Sequence, residues 1–131
     1  MIVRTTAEVE GTELDVAGPS WRSIRLLTRQ DGCGFSLHDT YVDAGAELTL
    51  WYKHHIEACL CVEGSGTIED LGNGRVFEIA PGTLYALDDH DRHLVRARSR
   101  LRLICVFDPA LAGNERHDAD GSYLPSEEVE G

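Results

Sequence analysis

A chain of 131 residues makes one ordinary domain, whose core should bury about two thirds of the unfolded surface. Acidic residues outnumber basic ones 23 to 12, for a formal net charge of -11. That balance argues against nucleic acid or an anionic membrane as partner, and the 42% apolar content argues against a disordered chain.

At the N-terminus, MIVRTTAEVE places acids where a signal peptide would carry its apolar core. No run approaches the roughly 18 apolar residues of a membrane span. Segments 24–28 and 35–42 are predicted strands divided by the turn pair Asp31-Gly32. In 47–52, Leu48 and Leu50 point one way, Thr49 and Trp51 the other. Segment 59–63 runs into Gly64-Ser65-Gly66, then 67–70 and Gly72-Asn73-Gly74, where Asn-Gly predicts a tight hairpin turn with positive backbone angles. Segments 75–79, 83–87, 93–97 and 101–107 complete the series, with Pro81-Gly82 starting a turn. So many short strands predict an all-β fold, a sandwich, barrel or jelly roll of two packed antiparallel sheets. Residues 1–125 read as a single domain and the acidic 126–131 as a flexible tail.

Cys33, Cys59, Cys61 and Cys105 contain no CxxC pair, and Cys59 and Cys61 share one strand face, poor geometry for bridging each other. They are expected to be reduced packing residues of a cytoplasmic protein.

Two spacings resemble the paired motifs of the cupin superfamily. Glu57, six residues and Gly64 match the end of the first motif, but the His-x-His pair that usually precedes it is missing, with His54 and His55 out of register. In the second motif, Gly82 is followed by two spacers and then Tyr85 where a histidine is usual. Glu57, Tyr85 and His93 would give a mixed oxygen and nitrogen set suited to iron(II) with open positions for substrate. On the residues alone an equally ordinary reading stands beside it: Tyr85 a core aromatic, Glu57 an exposed charge, His93 a rim residue. The run Asp88-Asp89-His90-Asp91-Arg92 is either a solvated turn or the source of an acid that orients His93.

Four segments are more specific: GFSLH at 34–38, HHIEA at 54–58, GSGTIEDL at 64–71 and YALDDHDRH at 85–93. Together they resemble the L-ectoine synthase family, over residues 1–123. That resemblance implies a cupin-type β-barrel and a homodimer. It also implies one Fe(2+) per chain on Glu57, Tyr85 and His93. The implied substrate is N4-acetyl-L-2,4-diaminobutyrate, closed with loss of water to the cyclic amidine ectoine. The implied substrate pocket holds Trp21, Arg25, Thr40, Tyr52, Phe107, Glu115 and His117, with Tyr52, Glu115 and His117 in the catalytic roles. It makes residues 113–117 a segment that folds over the pocket. Two rivals are another metal-dependent cupin activity and a metal-free module that binds a small ligand.

Overall fold

The computed structural model describes residues 1–113 and 122. Ten strands account for most of it: β1 (Asp15–Ala17), β2 (Trp21–Leu27), β3 (Ser36–Val42), β4 (Glu47–Leu50), β5 (Ile56–Glu63), β6 (Gly66–Asp70), β7 (Val76–Ile79), β8 (Leu84–Leu87), β9 (His93–Ala97) and β10 (Leu101–Asp108). They form two antiparallel sheets, ordered β1-β2-β3-β10-β5-β8 and β4-β9-β6-β7. Period-two alternation explains the long members. In β10, Leu101, Leu103, Cys105 and Phe107 are buried, whereas Arg102, Ile104 and Val106 are partly exposed. The buried residues of both sheets meet in one core that includes Cys59, Leu101, Leu103, Ile68, Ile79 and Val95.

The closed barrel or jelly roll expected from the sequence is corrected here. Among the described residues neither sheet closes. Closure requires each edge strand to find a partner, yet β1 and β8 flank the larger sheet and β4 and β7 the smaller one. All four are three or four residues long. Such short edges keep exposed backbone groups few, and side chains between the sheets do the joining.

Two elements near the N-terminus escaped the sequence reading. A one-turn helix α1 (Thr6–Val9) is set by a capping box: the Glu8 amide donates to Thr5 Oγ1 and the Thr5 amide to the Glu8 carboxylate, each at 3.2 Å. Strand β1 pairs with β2, and there Asp15 accepts from the Arg22 guanidinium at 2.9 and 2.7 Å. The turn at Asn73-Gly74 also differs from expectation. Residues 71–75 separate β6 from β7, and only Gly74 takes the left-handed conformation (φ 75°).

Gly64 is needed where β5 turns into β6. It has φ 90°, and a Cβ there would fall on the Arg100 carbonyl oxygen. That close approach lets the chain leave one sheet and enter the other.

Candidate active site

The larger sheet carries the pocket. Across it, paired residues form a row: Arg25 on β2 opposes His38 on β3, which opposes Cys105 on β10, then Cys59 on β5 and Tyr85 on β8. Directly opposed residues of antiparallel strands project to the same face. A basic residue thus stands at one end of the row and a phenol at the other. A parallel row runs Ser36, Phe107, Glu57, Leu87.

Six of the sequence-predicted residues, Trp21, Thr40, Tyr52, Glu57, Tyr85 and Phe107, line one cavity of about 470 Å³, open mouth included. Aromatic packing shapes it. Tyr52 stands edge-on to Phe107 with centroids 5.1 Å apart, and His55 does the same at 6.1 Å. Arg25 is fully buried but is not a wall residue. It reaches the cavity through Ser23, to whose hydroxyl its Nε donates at 3.4 Å.

His93 comes from the other sheet. It lines a neighbouring cavity with Asp88, Asp91 and Tyr85, and Tyr85 is the wall shared by the two cavities. The rings of His93 and Tyr52 lie 6.0 Å apart. Tyr85 thus borders both the cavity lined by Glu57 on the larger sheet and the one lined by His93 on the smaller.

The electrostatics around Tyr85 suit a cation. Burial pushes the Glu57 carboxyl up to about 7, against hydrogen bonds from the Cys59 and Cys105 thiols that hold it down. Burial likewise drives the Tyr85 phenol well above its ordinary value, with Cys59 and Glu57 adding to the effect. The His93 imidazole is pushed down, mainly by burial. His93 Nδ1 lies 2.9 Å from the Asp91 carbonyl oxygen, and its Nε2 is buried with no partner among the described residues. A donor–acceptor pair on Nδ1 puts the proton there and leaves Nε2 with a lone pair, the tautomer a metal ligand needs. The orienting group is a backbone carbonyl, not a carboxylate of the Asp88–Asp91 run. That run is fixed to the pocket rim by two bonds: Trp51 Nε1 donates to the His90 carbonyl at 2.9 Å, and His90 Nδ1 meets the Tyr52 carbonyl at 2.9 Å.

Sequence reasoning passed over four contributors, Cys59, Cys105, Ser23 and His38. Ligand atoms of Glu57, Cys59 and Cys105 all lie within 4.8 Å of one another, close enough to hold a metal ion. The sulfurs of Cys59 and Cys105 are 3.3 Å apart and both residues are free thiols. The spacing Glu57-x-Cys59 on an alternating strand was the available signal. Ser23 and His38 also line the pocket, and stepping by two from Trp21 and from Thr40 would have found them. Glu115 and His117, and the folding-over of 113–117 beyond Gly113, lie outside the described residues. Ser122 is described: it is buried, and its hydroxyl accepts from the Lys53 amide at 2.9 Å, next to Tyr52.

The sequence matches the ectoine synthase family over residues 1–127. The chain belongs to the ectoine synthase family. It is 53% identical over 123 residues to the L-ectoine synthase of Nocardia farcinica, covering 94% of each chain. Its fold superposes on the ectoine synthase from P. lautus with a TM-score of 0.86 at 48% identity, covering 96% of this chain and 91% of the other. An RmlC-like cupin from Shewanella frigidimarina shares the fold alone, with a TM-score of 0.61, 20% identity and coverage of 73% and 82%. Ectoine synthase family membership and the buried ligand cluster agree on a metal-assisted lyase within the cupin superfamily.

Proposed function

We infer that this chain is an L-ectoine synthase that closes N4-acetyl-L-2,4-diaminobutyrate to ectoine and water. The observation carrying this reading is family membership over nearly the whole chain, joined to a pocket walled by the predicted aromatic and polar residues. The bond formed is between the α-nitrogen and the acetamide carbon. The acetamide oxygen departs as water with two protons taken from that nitrogen.

Glu57, Tyr85 and His93 would hold the metal, which we take to be Fe(2+). The buried Nε2 of His93, the Glu57 carboxyl and the Tyr85 phenol, the last two deprotonated on binding, would form a hard donor set that fits such an ion. When bound, the metal supplies Lewis acidity for an unreactive amide oxygen. The remaining tasks fall to side chains. Arg25 draws the substrate carboxylate toward its end of the row. Trp21 and Phe107 exclude water and hold the chain folded, an effect worth several kcal/mol in order of magnitude. Thr40 and Tyr52 donate hydrogen bonds to substrate. Glu115 and His117 carry the protons that leave with the oxygen.

We place the protein in the cytoplasm as a homodimer. No helix among the described residues is long and apolar enough to cross a membrane. The four cysteines are unbridged, as a reducing compartment would keep them. Leu60, Val62 and Leu84 expose an apolar patch on the outer face of β5 and β8 that a second copy would cover. The net charge of -11 works against nucleic acid and anionic lipid as partners.

The test is to incubate anaerobically purified, iron-loaded protein with N4-acetyl-L-2,4-diaminobutyrate and to assay ectoine, with chelated protein as control. Ectoine from the loaded sample alone is expected. No ectoine from either sample removes the reading.

A further inference from the structure

His38 stands next to Arg25 at the side of the cross-sheet row away from Tyr85. Three strand spacings of about 4.8 Å separate it from β8. Its imidazole is buried, forms part of the pocket wall and packs on Phe107 with centroids 5.1 Å apart. Nδ1 lies 3.2 Å from Ser23 Oγ, and Nε2 is buried with no partner among the described residues.

The hydrogen bonds at Ser23 bear on which nitrogen carries the proton. A guanidinium can only donate, so Ser23 Oγ accepts from Arg25 Nε. Among the described residues Ser23 has one other hydrogen-bond partner, His38 Nδ1, and we assign its own hydrogen to that nitrogen. A neutral ring accepting at Nδ1 is protonated at Nε2. Burial foremost, then the charges of Arg25 and His55, push the His38 imidazole well below its ordinary value and keep it neutral. Cys105 opposes it from β10, and Glu57 shares the cavity. In this tautomer His38 brings an N–H to the pocket wall with no acceptor among the described residues, and buried donors without a partner are rare.

We propose that His38, oriented by Arg25 through Ser23, is a substrate-binding residue whose Nε2–H donates to the carboxylate of substrate and product. The proposal rests on the function inferred above. Of the two oxygen-bearing groups in the substrate, the acetamide belongs at the Glu57 and Tyr85 side. The carboxylate then falls to the Arg25 and His38 side, where a buried cation and a neutral donor stand together.

The test compares two ligands that differ only in the carboxylate: ectoine and 2-methyl-1,4,5,6-tetrahydropyrimidine, the same ring without it. Kd values come from calorimetry on the full metal-loaded chain. His38→Leu should weaken ectoine about tenfold or more and leave the carboxylate-free ring within about twofold. His38→Gln, which keeps an N–H near the same place, should recover most of the loss. Ser23→Ala, which frees the tautomer, should also erode the preference for ectoine, and it decides the matter if the leucine variant does not fold. Equal weakening of both ligands, or an unchanged preference in His38→Leu and Ser23→Ala, overturns the proposal. If wild-type protein produces ectoine while those variants keep the preference, His38's role alone falls. If wild-type protein produces none, the functional reading falls first.

Discussion

His93 Nδ1 sits 2.9 Å from the carbonyl oxygen of Asp91, two residues back along the chain. Because the acceptor is backbone, the orientation of His93 is independent of the Asp91 side chain. Asp91→Asn should therefore keep metal content and leave cyclisation within about threefold. His93→Ala removes the orphaned Nε2 and should abolish stoichiometric metal, with activity down by about a thousandfold or more. Metal analysis and initial rates on the two variants check this, and a metal-free Asp91→Asn would contradict it.

Glu57 should behave oppositely with and without metal. Its carboxyl titrates at about 7 in the folded, metal-free protein against an ordinary 4.5. The native state then binds more protons than the unfolded state between those values, so stability falls as pH rises through that window. The loss is about 3 kcal/mol in order of magnitude. Glu57→Gln has no charge to bury and should melt higher than metal-free wild type at pH 8, yet gain nothing from added iron(II). Thermal melts at pH 5 and pH 8, each with and without metal, read both effects.

Metal binding should also bind the sheets together, since Glu57 and Tyr85 stand on the larger one and His93 on the smaller. Chelation removes that link. At a metal concentration a hundredfold above Kd the stabilisation is about 2.7 kcal/mol, a Tm rise of about 10 °C for a domain of this size. Equal Tm values for loaded and chelated protein would rule out the cross-sheet arrangement.

The pair Asp15–Arg22 anchors β1 to β2. Two guanidinium hydrogen bonds hold the Asp15 carboxyl down at about 2, below its ordinary 3.8. The stabilisation is therefore present above about pH 4 and is lost as pH falls through 2. Arg22 is 43% exposed and solvent screens the pair, so Asp15→Asn should cost only about 1 kcal/mol at pH 7. Denaturant melts of wild type and variant should converge at pH 2.

Nine strands were legible because they alternate or end at glycine turns; β10, with every second residue from Leu101 to Phe107 buried, is the clearest. β1 has three residues, too few for a period to register, and α1 is a single turn whose only signal was Thr5 followed by Glu8. Whether the sheets close is decided by edge pairing, which no local pattern encodes. The site was legible in part for the same reason. Glu57 and Tyr85 were found from motif spacing, and Trp21, Thr40, Tyr52 and Phe107 by family resemblance, and all six share a cavity. His38 and Cys105 fall beside one another only through the β3–β10 register, a relation between residues far apart in sequence.

That register-setting geometry includes Gly64, which ends the match to the first cupin motif. Replacing it by alanine imposes two penalties at once. A backbone at φ 90° disfavours any L side chain, and the new Cβ would collide with the Arg100 carbonyl at the start of β10. Backbone cannot swing aside as a flexible side chain can, so the cost should reach about 3 kcal/mol or more. Gly45, at φ 82° with open space around its Cβ position, bears only the first penalty, and Gly45→Ala should cost about 1 kcal/mol. Urea melts of the two variants separate strain from collision. Equal losses would mean that the approach to Arg100 does not govern the β5–β6 turn.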